Sequence, residues 1–382
     1  MPNAKALRPD TAAQGRVIAE LRVAHGWSQS QLASKLCDAA GHATVTRELV
    51  SRWERGKRTP GPFWAKHLAT VLEAPISAPL ESEVKRRTFL TDVAALSIAP
   101  VAASDLLDQG FTAALGRSGP TLDDWHAKID AYGSDYMSLG SAEIQRRLAG
   151  DLIVLQQQLD TPGRWDVAAK LMTLYGKTFP GVDGSKAVNW YLLAAQAADR
   201  SGDDSTRVWV RGRAAIALGY EGASLSVAES FANQALAISD RPSLGRLNAL
   251  AGQAHVAAIR GDQYAARTLI EEVRRVFDVA GSEEQESDYA VPFWRVNVFV
   301  SLLAARLGDE RTALIAQEEA AKHLPAHLPR FATHLEMHKG LMLVRAGDRR
   351  SGVSLAREAL AKLPTEKHSL TLRMLLAEIE QR

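Results

Sequence analysis

The stretches "SQSQLASKL" (residues 28–36) and "VTRELVSRWERGKRTP" (residues 45–60) decide the fold of the N-terminal part of the chain. Ser28 precedes apolar residues at helical spacing, so it is predicted to be the N-cap of a short helix. Thr46 takes the same place before the next predicted helix. The apolar side of that helix is formed by Leu49, Val50 and Trp53.

One further helix is predicted on each side of this pair. Residues 14–26 carry apolar residues at helical spacing and end at Gly26. A later helix within residues 60–75 should pack five side chains inward: Phe63, Trp64, Leu68, Val71 and Leu72. A bundle of short helices with a basic helix in third place is typical of a helix-turn-helix domain. The predicted fold class here is therefore all-α.

In a helix-turn-helix domain the helix at 29–36 would cross the DNA backbone, and the helix after Thr46 would lie in the major groove. Four side chains that face away from the apolar side are predicted to read base edges: Arg47, Glu48, Ser51 and Arg52. A second set is predicted to contact DNA phosphates: Gln29, Thr46, Arg55, Lys57 and Arg58.

The distribution of charge favours a polyanionic partner for the N-terminal part. Residues 1–75 hold eleven Lys and Arg and six Asp and Glu, a net charge of +5. The rest of the chain holds 35 basic and 38 acidic residues, a net charge of −3. A basic domain beside a weakly acidic one suits binding to DNA through the first domain alone.

The motifs "GWSQSQLASKL" and "VSRWERGKRTPGP" resemble the Xre/Cro–phage repressor family. The resemblance implies a DNA-binding regulator whose helix after Thr46 recognises the operator. The stretch 37–46 is longer than the tight turn typical of that family. Either the helix at 29–36 is longer than predicted or the connection is an extended loop.

The stretch "VKRRTFLTDVAALSIAPVAAS" (residues 84–104) is similar to a twin-arginine export signal. Such signals are N-terminal, and this one follows a predicted DNA-binding domain, so we interpret it as a linker with a short amphipathic helix. The predicted organisation is a flexible tail at 1–13, the helix-turn-helix domain at 14–76, the linker at 77–120 and a helical repeat domain at 121–382.

Gly-Asp pairs punctuate the predicted repeat domain. Gly261, Gly308 and Gly347 are each followed by Asp, and small residues such as Gly340 and Gly352 recur at fixed offsets from them. The 39 residues from Gly308 to Gly347 become 47 between Gly261 and Gly308, which indicates an insertion. The pattern is similar to the tetratricopeptide repeat, although the units here are longer than the period of about 34 residues of that repeat. It predicts about five stacked helix pairs and a final capping helix.

Two segments of the repeat domain hold candidate groups for a ligand groove. These groups are Arg207, Trp209, Arg211, Arg213, Trp294 and Arg295. Arginines beside aromatic residues can grip a carboxylate or another acidic ligand, but ion pairs within the repeat or a solvated face are the alternative. His334 and His338 share a helix face without an accompanying Cys or Asp, so no metal and no cofactor is predicted.

The segments "LMTLYGKTFPG" and "RVWVRGRAAIALGYEGA" resemble a group of regulators that is abundant in actinobacteria. The resemblance implies a cytoplasmic transcription factor. Because one helix-turn-helix domain makes a small interface, we expect a homodimer that binds a pseudo-palindromic operator in double-stranded DNA. The repeats would mediate dimerisation, or sense a peptide or small-molecule effector, or both. The alternative is a protein-interaction scaffold anchored on DNA.

Three further features bear on the class of protein. No catalytic constellation is found, so we expect no enzymatic activity. The single cysteine, Cys37, excludes an intrachain disulfide and fits a reducing compartment. No apolar run reaches the roughly 18 residues that a membrane span needs, so no association with a membrane is expected.

Overall fold

A computed structural model describes residues 15, 18–19, 21–23, 27–41, 44–72, 119–179, 184–222 and 224–382. These residues belong to two compact units, an N-terminal one and one that holds most of residues 119–382. Every regular secondary-structure element assigned within the described residues is a helix, which confirms the all-α prediction. The predicted tail at 1–13 and nearly all of the predicted linker at 77–120 lie outside the described residues.

The N-terminal unit contains three helices whose bounds are defined, α1 (Gln29–Ala40), α2 (Arg47–Glu54) and α3 (Pro62–Val71), after helical residues between 15 and 23. Ser28 caps α1 in a capping box with Gln31. The Thr46 side chain caps α2, because its Oγ1 accepts a hydrogen bond of 3.3 Å from the backbone N–H of Leu49. Both predicted N-caps are confirmed.

The connection between α1 and α2 is explained by a longer α1. The helix continues through residues 37–40, which include no helix-breaking residue, and ends at Gly41 with a left-handed φ of 72°. The Cys37 thiol then donates to the carbonyl oxygen of Val45 at 3.4 Å, and the Val45 side chain is buried. Of the two alternatives, the longer helix accounts for most of the additional residues.

Apolar side chains from all parts of the N-terminal unit form its core. The fully buried members include Ile18, Leu32, Leu36, Val50, Trp53, Leu68 and Leu72. The prediction that Phe63 packs inward is wrong, because its side chain is 49% exposed. Phe63 lies one turn before His67, with ring centroids 4.3 Å apart, on the outer side of α3. Trp64 packs against the core as predicted, with its ring centroid 6.4 Å from that of Trp53.

The described part of the second unit is a succession of helices. They are α4 (Leu122–Ser138), α5 (Ser141–Gln156), α6 (Pro162–Gly176), α7 (Gly184–Ser201), α8 (Asp204–Glu221), α9 (Leu225–Ile238), α10 (Leu244–Arg260), α11 (Gln263–Ala280), α12 (Phe293–Leu307), α13 (Glu310–His323), α14 (Pro329–Arg345), α15 (Arg349–Ala361) and α16 (Leu370–Gln381). Within the described residues, α4 to α15 make six consecutive helix pairs, one more than the five or so predicted, and α16 is the expected final helix.

The Gly-Asp pairs join consecutive helices as the sequence predicts. Gly261, Gly308 and Gly347 end α10, α12 and α14 with φ values of 85°, 72° and 97°. A left-handed residue after the last helical turn is the position at which glycine is most favourable. The following aspartates, Asp262, Asp309 and Asp348, cap α11, α13 and α15 through their carboxylates.

Small residues let these helices approach closely. A Cβ atom built on Gly340 would lie 2.7 Å from the carbonyl oxygen of Gly352, and one on Gly352 would lie 2.5 Å from that of Gly340. A Cβ atom on Gly219 of α8 would lie 2.8 Å from the carbonyl oxygen of Gly252 on α10, and one on Gly252 would lie 2.8 Å from that of Ala215. Helices α8, α10, α12 and α14 pack in sequence against one another and form the inner row of the unit, while α11, α13 and α15 pack on its outer side.

The insertion between α11 and α12 is exposed at residues 283–285 but places Asp288 in the interior of the second unit. The backbone N–H of Asp288 donates to the carbonyl oxygen of Gly133 on α4 at 2.9 Å. The Asp288 side chain is only 2% exposed. A loop that departs from the repeat therefore delivers one carboxylate to the inner row.

Candidate functional sites

The exposed side of α2 carries the residues that were predicted to read DNA bases. Arg47, Glu48 and Arg52 are exposed and Ser51 is partly exposed, opposite the buried Val50 and Trp53. The carboxylate of Glu48 is stabilised first by its own backbone N–H and then by the Thr46 hydroxyl, which lower its pKa. The surface therefore presents two guanidinium groups, one carboxylate and one hydroxyl side by side.

Three predicted phosphate-binding residues follow α2 in a tight turn. Gly56 adopts a left-handed φ of 66°. The backbone N–H groups of Lys57 and Arg58 both donate to the carbonyl oxygen of Arg52, at 2.9 and 3.3 Å. Arg55, Lys57 and Arg58 are all exposed. The turn thus holds three cations at the C-terminal end of α2, where the helix dipole also favours positive charge.

The other two predicted phosphate-binding residues already have roles within the protein. Thr46 is the N-cap of α2. The Gln29 side-chain amide donates to Oε2 of Glu54 at 2.7 Å, and Arg22 donates to Oε1 of the same carboxylate at 2.6 Å. The sequence analysis missed this network around Glu54, which ties the end of α2 to the start of α1. The sequence signals it only by an acidic residue, Glu54, at the last position of α2.

The candidate ligand residues of the repeat unit separate into two groups. Arg207 and Arg211 both form ion pairs with Asp199 of α7, at 3.0 and 2.8 Å. Trp209 packs against Tyr289 with ring centroids 5.3 Å apart. Trp294 is fully buried, and its indole N–H donates to the carbonyl oxygen of Gln285 at 3.3 Å. These four side chains make contacts within the protein.

Arg213 and Arg295 come together in the interior, on the carboxylate of Asp288. Each guanidinium donates to Asp288 at 2.8 Å, and Lys177 donates to both carboxylate oxygens at 2.6 and 2.8 Å. Arg330 lies nearby: its guanidinium and the Lys177 ammonium both contact the Tyr136 ring, at 5.0 and 4.4 Å from the ring centroid. We call Lys177, Arg213, Arg295 and Arg330 the basic cluster.

The basic cluster lines a cavity of about 90 Å³ that opens to solvent on one side. Besides the cluster, its wall contains apolar and aromatic side chains and two carboxylates. These include Tyr136, Ile216, Ala217, Tyr220, Glu221, Asp288, Val298, Phe299 and Phe331. The sequence analysis missed Lys177, Arg330 and both carboxylates, since these residues come from segments far apart in the chain.

The cavity contains more positive than negative charge. Burial alone would raise the pKa of Asp288, but Arg213, Lys177 and Arg295 together hold it well below its usual range. Burial and the neighbouring arginines lower the pKa of Lys177 well below its usual range. Burial also raises the pKa of Glu221 to about 7, so this carboxyl group is only partly ionised near neutral pH. Asp288 is therefore the main counter-charge for several buried cations.

His334 and His338 lie beside this cavity, close to the Tyr220 hydroxyl. The Tyr220 hydroxyl lies 3.4 Å from Nδ1 of His334 and 3.1 Å from Nε2 of His338. Nδ1 of His338 also lies 2.9 Å from the Ser301 hydroxyl. Across the described ranges no group of three His, Cys, Asp or Glu side chains is placed to hold a metal ion. The two histidines belong to a buried hydrogen-bonded network.

The part of the chain that the structure describes contains no helix with both the length and the apolar character required to span a bilayer.

Comparison with known proteins identifies the N-terminal unit. Residues 18–77 match the helix-turn-helix family. No curated protein matches the chain by sequence. A solved structure of Bacillus thuringiensis PlcR, in complex with the peptide PapR7 and DNA, is similar over 70% of this chain and 95% of that chain, with 17% sequence identity and a TM-score of 0.34. That likeness is too distant to define the fold of this chain.

Proposed function

We propose, from the helix-turn-helix domain at residues 18–77, that the protein is a DNA-binding transcriptional regulator. The observation that carries the proposal is the exposed side of α2, which holds Arg47, Glu48, Ser51 and Arg52 opposite a buried apolar side. This arrangement has the donors and acceptors that read base edges in the major groove. Acting on DNA, the protein would work in the cytoplasm of a bacterial cell.

The finer assignment divides the residues by role. Arg47, Glu48, Ser51 and Arg52 are proposed to contact bases. Arg55, Lys57 and Arg58 are proposed to contact phosphates, because a tight turn presents their side chains to solvent at the end of α2. Gln29 and Thr46 would contact phosphates in addition to their contacts with Glu54 and Leu49.

The repeat unit is proposed to act as the regulatory part of the protein. It contains a cavity lined by charged and apolar side chains, which suits an effector. A stack of helix pairs also offers surface for a second copy of the chain. The division at 14–76 and 121–382 would separate DNA binding from these functions. Dimerisation would let two helix-turn-helix units bind the two halves of a pseudo-palindromic operator.

The proposal is tested by recovering genomic DNA bound to the intact protein and by footprinting the most enriched site. We expect a short inverted repeat, with protection lost in a variant that carries Arg47→Ala and Arg52→Ala together. An Arg350→Ala variant, changed at an exposed position on α15, is the control. If no sequence is enriched, the alternative of a scaffold anchored on DNA replaces sequence-specific regulation.

A further inference from the structure

We propose that the cavity lined by the basic cluster binds a small organic carboxylate, with its head group on Arg213 and Arg330 and a short hydrocarbon body against the apolar wall. The inference rests on the proposed effector role of the repeat unit and names the class of effector. Three observations support it: the balance of charge, the free donor capacity of the arginines and the composition of the wall.

The balance of charge is the first observation. Lys177, Arg213 and Arg295 all donate to the one carboxylate of Asp288, and each of these side chains is at most 13% exposed. Arg330 adds a further cation at the Tyr136 ring. Buried charges are costly unless they are paired, and among the described residues Asp288 and the partly ionised Glu221 are the only carboxylates that line the cavity beside the three arginines. A bound anion would supply the missing negative charge.

The hydrogen bonding of the arginines is the second observation. The Nε–H groups of Arg213 and Arg295 are buried and donate to no acceptor within the described residues. Arg295 is otherwise well satisfied, because its two terminal nitrogens donate to the carbonyl oxygens of residues 287, 288 and 290 and to the Asp288 carboxylate. The described contacts of Arg213 include a single side-chain hydrogen bond, to Asp288. Its guanidinium thus retains donors for a carboxylate, which accepts two parallel N–H groups.

The size and wall of the cavity are the third observation. Ile216, Val298 and Phe299 line it together with the charged groups, so part of the wall suits hydrocarbon. A dry cavity of about 150 Å³ can hold a benzene ring, so about 90 Å³ with an opening to solvent suits a smaller ligand. The ligand class is therefore a short-chain carboxylate rather than a nucleotide or a long peptide.

The test uses butyrate as the probe and butyramide as its neutral analogue, both with the full-length protein at constant ionic strength. We expect butyrate to raise the melting temperature in a saturable manner and to give a dissociation constant by titration calorimetry. Butyramide should have no such effect, because it cannot form the charge-assisted hydrogen bonds. Equal stabilisation by both compounds, or by neither, overturns the proposal.

Two variants locate the binding site. Arg213→Gln should weaken butyrate binding by roughly tenfold or more, the loss expected for one charge-assisted hydrogen bond. Ala217→Leu should abolish binding by filling the cavity without changing any charge, and it remains informative if Arg213→Gln does not fold. Arg246→Gln, on α10 and outside the cavity, should bind butyrate as the wild type does. Unchanged binding in the folded Ala217→Leu variant places the anion elsewhere and overturns the assignment.

The DNA footprint, repeated with and without butyrate, separates this inference from the proposed function. Butyrate binding that depends on Ala217 but leaves DNA affinity unchanged supports the site and removes its role as an effector site. A sequence-specific footprint from a protein that binds no butyrate supports the DNA-binding function and overturns the inference.

Discussion

At the scale of single residues, Arg52 and Lys57 show how position decides the kind of DNA contact. Arg52 projects from the exposed side of α2, at the level of the proposed base contacts. Lys57 lies beyond the end of the helix, with its backbone N–H on the carbonyl oxygen of Arg52. An Arg fork can distinguish guanine from other bases, whereas an ammonium beside the backbone responds only to phosphate charge.

The first prediction concerns Arg52→Ala. We expect it to weaken binding to the best site by about 1–3 kcal/mol and to remove discrimination at one base pair, because a bidentate base contact is lost. Quantitative footprinting on a set of sites with single-base changes measures both effects. Equal loss on all sites would mean that Arg52 contacts the backbone.

The second prediction concerns Lys57→Ala. All DNA sequences should be bound more weakly by a similar factor, and the log–log dependence of affinity on salt should become shallower by about one unit, because one phosphate contact is lost. Affinities measured over a series of salt concentrations give the slope. A change in base preference at constant slope would contradict the phosphate assignment.

The third prediction concerns the pH dependence of stability through Glu221. Burial raises its pKa from 4.5 to about 7, opposed by the hydrogen bond from Thr371 and the charge of Lys177. The folded state holds this proton up to a higher pH than the unfolded state does. The contribution of Glu221 therefore lowers the free energy of unfolding as pH rises from about 4.5 to 7. Above and below that range its contribution is constant.

Glu221→Gln should remove this loss. The Gln side chain can still accept the 3.1 Å hydrogen bond that the Thr371 hydroxyl donates to Glu221. Relative to the wild type, the variant should gain about 2 kcal/mol in the free energy of unfolding between pH 4.5 and 7, allowing for the partial exposure of the residue. Urea unfolding at a series of pH values measures the difference. A constant difference across the series would show that Glu221 titrates normally.

At the scale of helices, the connections between them are determined by residues that are neighbours in the sequence. A Gly that takes a left-handed φ and an Asp that caps the next helix stand side by side at residues 261–262, 308–309 and 347–348. Each joint needs only two neighbouring residues, and no contact from elsewhere in the chain is required. Such elements can therefore be predicted from a single sequence.

The fourth prediction concerns the close packing of α14 on α15. Gly340→Val should lower the free energy of unfolding by about 1–3 kcal/mol, because its side chain would collide with the backbone at Gly352 and force the helices apart. Ala321→Val, at an exposed position on α13, adds the same branched side chain and should cost only a few tenths. Thermal unfolding of both variants makes the comparison. Similar costs for the two would mean that α14 and α15 do not need this close approach.

The cavity could be predicted from the sequence only in part. Arg213 and Arg295 were recognised because each lies near aromatic residues in its own segment. Their shared partner Asp288 lies in a loop that interrupts the repeat, and Lys177 is 111 residues before it. A single sequence contains the spacing of residues along one helix, but it does not show which distant segments meet. The sequence pattern predicts that both Phe63 and Trp64 face the core, but adjacent residues project about 100° apart on a helix, and only Trp64 packs against the core.

At the scale of the whole molecule, we expect two copies of the chain to act together on DNA. One helix-turn-helix unit contacts few base pairs, so a second unit on a neighbouring half-site adds affinity and specificity. The fifth prediction is a footprint over an inverted repeat whose half-sites are centred about 10 base pairs, or a multiple of that distance, apart.

Sedimentation of the protein with DNA of one or two half-sites tests this prediction. We expect two chains on the two-half-site DNA, and a fall in affinity when either half-site is scrambled. A full footprint on a single half-site, with one chain bound, would contradict the dimeric assignment.

Hydrogen bonds across the interior of the repeat unit also bear on how it folds. In an open stack each repeat touches only its neighbours, so its ends can unfold while its middle stays intact. Here Arg330 donates to the carbonyl oxygen of Tyr136 across 194 residues, and Thr371 donates to Glu221 across 150. The first and last helices cannot fray without breaking these bonds. The unit should therefore unfold in one cooperative transition, and it should refold more slowly than a stack of local contacts, because long loops must close first.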